Sequence, residues 1–121
     1  MEGSSPFVLS IKSGFLEGCR VLVLEGELDM DCASQLDVAI ETCTDGRPLV
    51  VDLTSLTFID STGIHTLLRE RNSSRPTAVV RAPESNVSRV LDIVDAKKTL
   101  PVFDDLASAV RQLGSEAAAE G

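Results

Sequence analysis

Apolar residues recur every second position over 7–12, with Phe7, Leu9 and Ile11 on one side. This alternation predicts a half-buried edge strand. Residues 14–18, bounded by Gly14 and Gly18, predict a turn. Residues 20–28 contain Val21-Leu22-Val23-Leu24, apolar on both faces, as expected of a central strand. The period then changes. Leu36, Ala39, Ile40 and Cys43 fall at helical spacing, Asp31 is a candidate N-cap, Gly46 suits a C′ position, and Pro48 forbids continuation. Residues 49–53 predict a second buried strand, and 54–60 lead into a helix over 62–73 with Ile64, Leu67 and Leu68 inward. A third core strand is expected over 77–81, and Val87, Val90, Leu91 and Val94 mark another helix. A short strand over 100–103 is placed at an edge by Pro101. Asp104 and Asp105 open the last helix, whose stripe is Leu106, Ala109, Val110 and Leu113.

The order β-β-α-β-α-β-α-β-α predicts one α/β domain over 1–121. Its mixed, mainly parallel sheet has about five strands and about four helices. The first strand is expected antiparallel at an edge. The core is expected over about 7–113, with residues 1–5 and 115–121 as frayed ends. No repeat or linker interrupts it.

Composition narrows the function classes. The 121 residues fit one domain, and 43% are apolar. There are four Phe but no Trp or Tyr, so the core is aliphatic and a base-stacking surface is hard to build. The formal charge is −8, with no basic stripe to neutralise phosphates, which argues against nucleic acid. Cys19, Cys32 and Cys43 match no zinc spacing and read as reduced thiols of a cytoplasmic protein. No signal-type start and no apolar run of membrane-span length is present. Neither a metal nor a cofactor is expected.

Sites in such sheets gather at the carboxyl ends of strands. Gly26-Glu27-Leu28-Asp29 ends one strand, and Phe58-Ile59-Asp60-Ser61-Thr62-Gly63-Ile64 follows the next. Neighbouring strands would bring Asp29 and Asp60 together, with Ser61 beside them in the first turn of a helix. The local sequence leaves alternatives open. Ser61 is a helix cap or a phosphoacceptor, Asp60 a cap or a site acid, and Asp29 a turn residue or a site acid. Thr62 reads as a helix-start residue and Gly63 as a point of close backbone approach. His65 reads as a solvated helix residue or a pH-sensitive group.

Gly-Glu-Leu-Asp at 26–29 followed by Asp-Ser-Thr-Gly at 60–63, in this element order, resembles the anti-sigma factor antagonists of the STAS family over residues 7 to about 113. The resemblance implies that Ser61 is phosphorylated by a partner that is both anti-sigma factor and serine kinase. It further implies that Asp29 and Asp60 are the family's conserved acids. The expected partner surface is Asp29, Asp60, Ser61, Thr62, Gly63 and His65, the last of these one helical turn beyond Ser61. A serine phosphatase is expected as second partner, and a monomer or weak dimer as the oligomeric state. The chain departs from the family at Gly63-Ile64-His65, where Gly-Leu-Gly is common, placing a large side chain where the family often has none.

Other classes fit less well. Ser61 and His65 share a helix face as nucleophile and base would, but no strained nucleophile elbow surrounds the serine and nothing orients the imidazole, so an enzyme is not expected. Glu25, Glu27, Asp29 and Asp31 alternate as oxygen ligands might, yet suit a solvated acidic rim better. The runner-up is a STAS scaffold subunit of a larger signalling complex, which would self-assemble.

Overall fold

In the computed structural model, residues 9–43, 46–71, 76–93 and 100–120 are described. Strands apolar on both faces belong in the middle of a covered sheet. β2 (Cys19–Leu28), β3 (Leu49–Ile59) and β4 (Thr77–Val80) lie there as parallel neighbours. β1 (Ser10–Leu16) pairs antiparallel with β2 at one edge, and β5 (Val102–Phe103) pairs parallel with β4 at the other. The sheet order therefore follows the chain, β1-β2-β3-β4-β5.

That order decides where the helices go. Right-handed crossovers between strands added in one direction place every crossover helix on one face. α1 (Ala33–Glu41), α2 (Ser61–Arg71) and α3 (Asn86–Ile93) cover the face of Leu22, Leu24, Leu49, Val51, Leu53 and Val79. They do so through Leu36, Ile40, Ile64, Leu67, Val87 and Leu91. The alternate residues Val21, Val50, Ala78 and Val80 face the other way and are covered by α4 (Leu106–Glu120) through Ala109, Val110 and Leu113.

The hairpin is tighter than the glycine spacing suggested. Its turn is Glu17-Gly18, with φ of 50° and 85°, the two positive values of a type I′ hairpin loop. Gly14 is thus inside β1, and the strand spans 10–16 rather than 7–12. Arg20 lies over the Phe15 ring at 4.1 Å and Arg47 at 5.0 Å, two cation–π contacts that hold this exposed ring against the hairpin.

β3 runs on to Ile59, beyond the expected end at Leu53. Its buried residues Leu53, Leu56 and Ile59 are spaced by three, because the β2–β3 register shifts between Val23/Glu25 and Gly26/Glu27. Bulges of this kind break the two-residue period that identifies a strand. Asp31 is not the cap of α1. Cys32 takes the N-cap position without a side-chain cap bond, and its own N–H is held by the Asp29 carboxylate. α1 stops at Glu41, so Gly46, with φ of 73°, lies in the following loop and not at the helix C′ position. Cys43 remains buried beyond the helix, its thiol donating to the Ala39 carbonyl at 3.2 Å. α2 starts at Ser61, one residue early, and β4 stops at Val80. Pro101 precedes β5 rather than lying in it. α4 continues past Leu113 to Glu120 through an alanine-rich stretch of high helix propensity. Phe7, Val94, residues 72–73 and residues 1–5 lie outside the described residues. Among the described residues, no helix is long and apolar enough to cross a membrane.

The α4 face rests on far fewer apolar side chains than its opposite. Leu113, 1% exposed, closes it against the sheet. Leu113→Ala should lower unfolding free energy by about 2–5 kcal/mol. Val38→Ala, at a residue 58% exposed, should change it by roughly 0.5 kcal/mol or less. Urea denaturation followed by circular dichroism measures both.

Candidate functional site

Parallel pairing of β2 with β3 puts Leu28 opposite Ile59, so both chains leave the sheet side by side. The Asp60 N–H donates to the Leu28 carbonyl at 3.2 Å, extending the pairing past the strand ends. Asp29 and Asp60, expected to approach one another, thus begin the two adjacent loops.

Each carboxylate is occupied by backbone donors. Asp29 Oδ1 accepts from the N–H groups of Asp31 at 3.0 Å and Cys32 at 3.1 Å. Its carbonyl accepts from Cys32 at 3.1 Å and Ala33 at 2.9 Å. Asp29 therefore turns the chain into α1, its carboxylate holding two N–H groups before the helix and its carbonyl the first helical N–H, that of Ala33. Asp60 Oδ1 accepts from the Gly63 N–H at 3.1 Å, an N-cap bond to the third helical residue. Asp60 Oδ2 accepts from the Met30 N–H at 3.1 Å. One carboxylate thus caps α2 and ties that cap to the loop that opens α1.

Gly63 is where α2 touches the end of β2. A Cβ there would stand 2.7 Å from Leu28 Cγ, 2.9 Å from Cδ2 and 3.1 Å from the Leu28 carbonyl oxygen. Leu28 is wholly buried and Gly63 buried, so neither can move aside easily. The close approach expected of Gly63 is present, and its partner is the residue preceding Asp29.

Ser61 and Thr62 are exposed at the first two positions of α2. Helix geometry leaves the N–H groups of a first turn without intrahelical acceptors, and the dipole there favours negative charge. His65 is exposed one turn on, and Ser61, His65 and Arg69 make a polar stripe along α2. Arg69 Nη2 closes that stripe against α1, meeting Asp37 Oδ1 at 2.9 Å and Oδ2 at 3.1 Å. The sequence reading passed over two apolar side chains at this end of the sheet. Met30 is 70% exposed on the Asp60-tied loop, and Phe58 is 39% exposed near the end of β3. A methionine between two aspartates and a phenylalanine just before Ile59-Asp60 were the available signals.

Cys32 lies beside Asp29 at the start of α1. Burial pushes its thiol pKa up, and the charges of Asp29 and Asp31 push the same way, against the pull of a Leu9 backbone hydrogen bond. At neutral pH it is a protonated, weakly nucleophilic thiol. Among the described residues, no three His, Cys, Asp or Glu side chains converge as a metal site.

Residues 11–109 match the family described as STAS domain. Among solved structures, an anti-sigma factor antagonist from Mycobacterium paratuberculosis aligns with a TM-score of 0.79 and 27% identity, over 91% of this chain and 97% of its own. The unphosphorylated form of the anti-sigma factor antagonist SpoIIAA aligns at 0.66 with 19% identity, over 87% and 97%. An uncharacterised DUF3478 protein with a SpoIIAA-like fold, from Shewanella loihica, aligns at 0.55 with 15% identity, over 91% and 97%. The last two likenesses concern the fold alone. No curated protein matches the sequence.

The Gly63–Leu28 contact yields a direct test. Gly63→Ala should destabilise by about 1–3 kcal/mol through overpacking, although alanine is the better helix former. Combined with Leu28→Ala, which removes the two nearest atoms, the losses should fall short of additive by about 1 kcal/mol. A double-mutant cycle by urea denaturation checks this, and strict additivity would refute the contact.

Proposed function

We propose that this chain, which belongs to the STAS domain family, is an anti-sigma factor antagonist switched by phosphorylation of Ser61. It binds an anti-sigma factor that is also a serine kinase, and so frees a sigma factor. Phosphorylation of Ser61 by that partner releases it, and a serine phosphatase resets the switch. The protein acts in the cytoplasm by binding, not catalysis, and needs neither metal nor cofactor. The observation that carries this reading is the exposed Ser61 hydroxyl at the first position of a helix whose cap is already supplied by Asp60. Support also comes from the likeness to the mycobacterial antagonist over nearly the whole chain.

The chemistry of the switch follows from that placement. A phosphoserine carries about −1.5 to −2 charges at neutral pH. At the first turn of α2 that charge meets backbone N–H groups and the positive dipole end, so the helix tolerates it. The cost falls on the interface. Asp60 adjoins Ser61 and Asp29 opens the neighbouring loop, so the phosphorylated site is strongly anionic. A partner shaped for a neutral hydroxyl must desolvate that charge and accommodate its bulk. Unpaired or like charges across an interface cost several kcal/mol, and each ~1.4 kcal/mol is tenfold in affinity. The partner surface comprises Asp29, Asp60, Ser61, Thr62, Gly63 and His65, rimmed by Met30 and Phe58.

Calorimetric titration against the purified kinase tests the switch. Phosphorylation should weaken binding by roughly a hundredfold or more. Ser61→Ala should bind as wild type does, and Ser61→Asp poorly, with melting temperatures near wild type throughout. Equal affinity of the two phosphorylation states would remove the mechanism.

His65 shares the Ser61 face of α2, and its bulk should tune partner choice. His65→Gly should alter the ratio of affinities for the cognate kinase and its paralogues by several-fold. The control His65→Ala separates side-chain loss from the roughly 1 kcal/mol cost of a helix-interior glycine. Unchanged affinities for both kinases would make His65 a merely solvated residue.

A further inference from the structure

The two edges of the sheet are built differently. β5 is two residues long and preceded by Pro101, so it offers little to another strand. β1 has seven residues, and its seven pairs with β2 run without a register shift. Of its residues only Ile11 is half-buried; Ser10, Lys12, Ser13, Gly14, Phe15 and Leu16 are exposed. Natural edges are guarded by prolines, bulges, inward charges or brevity, and β1 has none of these beyond one outer lysine. A strand pairs through one side with β2, and its other side presents backbone donors and acceptors outward.

Charge and register together select the occupant. The chain carries −8 overall, yet 10–16 contains one lysine and no carboxylate. A second copy of the same strand therefore meets β1 without acid facing acid. Antiparallel pairing about a two-fold axis through Ser13 sets Ser13 against itself, Lys12 against Gly14, and Ile11 against Phe15. Between the two strands no like charges oppose, and the bulky apolar residues meet on one face, where the Arg20 that donates to Ser13 Oγ at 2.7 Å flanks the axis in each copy. That face continues into a groove of about 440 Å³ lined by Ile11, Leu22, Gln35, Val38 and Ala39. The opposite face continues into a hollow of about 280 Å³ lined by Gly14, Leu16, Val21, Val23 and Leu106. Pairing would cover apolar rims on both sides of the sheet.

We infer that β1 is a self-association edge, through which two copies join antiparallel, β1 to β1, into a continuous ten-stranded sheet. The interface is one strand and its flanks, smaller than that of a permanent dimer, so association is weak and governed by concentration. β2 separates β1 from β3, which leads to Ser61, so both α2 N-termini stay uncovered. The state of Ser61 therefore does not govern pairing, and the inference stands or falls apart from the proposed switch.

Gly14 gives a clean probe, because a Cβ there meets nothing within 4 Å and the variant should fold. Sedimentation equilibrium of the full chain over roughly 10 μM to 1 mM should show a monomer–dimer equilibrium for wild type and Ser61→Asp alike. Gly14→Lys sets the new lysine against Lys12 of the second copy at two symmetric places and should weaken dimerisation about tenfold or more. Adding Lys12→Glu to Gly14→Lys turns both contacts attractive and should restore it. Circular dichroism melts establish that each variant is folded. A wild type monomeric at all concentrations overturns the inference, as does a dimer indifferent to Gly14→Lys or dependent on Ser61. Failure of the double variant to recover overturns the register.

Discussion

The Asp60 carboxylate is the point on which the arrangement of this site depends. One oxygen holds the Gly63 N–H and the other the Met30 N–H, joining segments 30 residues apart. Bonds from a carboxylate to backbone N–H groups are stronger than neutral ones, and at Gly63 the helix dipole adds to them. Beside this bridge, the Asp60–Leu28 backbone bond and the packing of Gly63 on Leu28 join the end of β2 to the start of α2. The bridge works only because Gly63 lacks a side chain: α2 approaches β2 closely enough for Asp60 to reach both donors.

That approach is in turn set by the sheet. Sequential strand order commits all three crossover helices to one face. α1 and α2 leave adjacent parallel strands at the same end, so their N-termini are neighbours by topology before any side chain is considered. Asp29 and Asp60 refine this neighbourhood. Asp29 turns the chain into α1, Asp60 locks α2 beside it, and the Arg69–Asp37 pair repeats the tie near the far end of α2. That pair is largely exposed and adds little stability, but it limits how the two helices can slide.

The parts of this design visible in the sequence were those with one dominant signal. β2 and β4 read directly as buried strands, and the stripe of α4 named its buried face. β3 was cut short because its register shifts spaced the buried residues by three, and β1 was displaced because a glycine inside a strand looks like a glycine in a turn. The motif brought Asp29, Asp60 and Ser61 together correctly, since parallel neighbours must end side by side. What the sequence concealed was which acid bonds where. Asp29 and Asp31 are the same residue type two positions apart, and either would suit a cap; the backbone path after Leu28 makes Asp29 the one whose carboxylate holds the N–H groups of Asp31 and Cys32 just before α1. Met30 and Phe58 were passed over for a related reason. An apolar residue in a short loop carries no periodicity, so nothing in the pattern separates an exposed one from a buried one.

The division of labour between Asp60 and Ser61 has a consequence for any chemistry at this helix start. A serine at such a place ordinarily accepts a hydrogen bond from a first-turn N–H, and modifying it would remove a cap worth about 1 kcal/mol. Here Asp60 fills that role, and Ser61 occupies the next position with its side chain in solvent. The hydroxyl is therefore not part of the frame. A change of charge on it leaves Asp60 in place and adds negative charge where the helix dipole is positive, while raising the local negative charge that any approaching surface must meet. Structure and surface thus respond with opposite sign to the same modification. A charge added at Ser61 therefore need not unfold the helix that it begins.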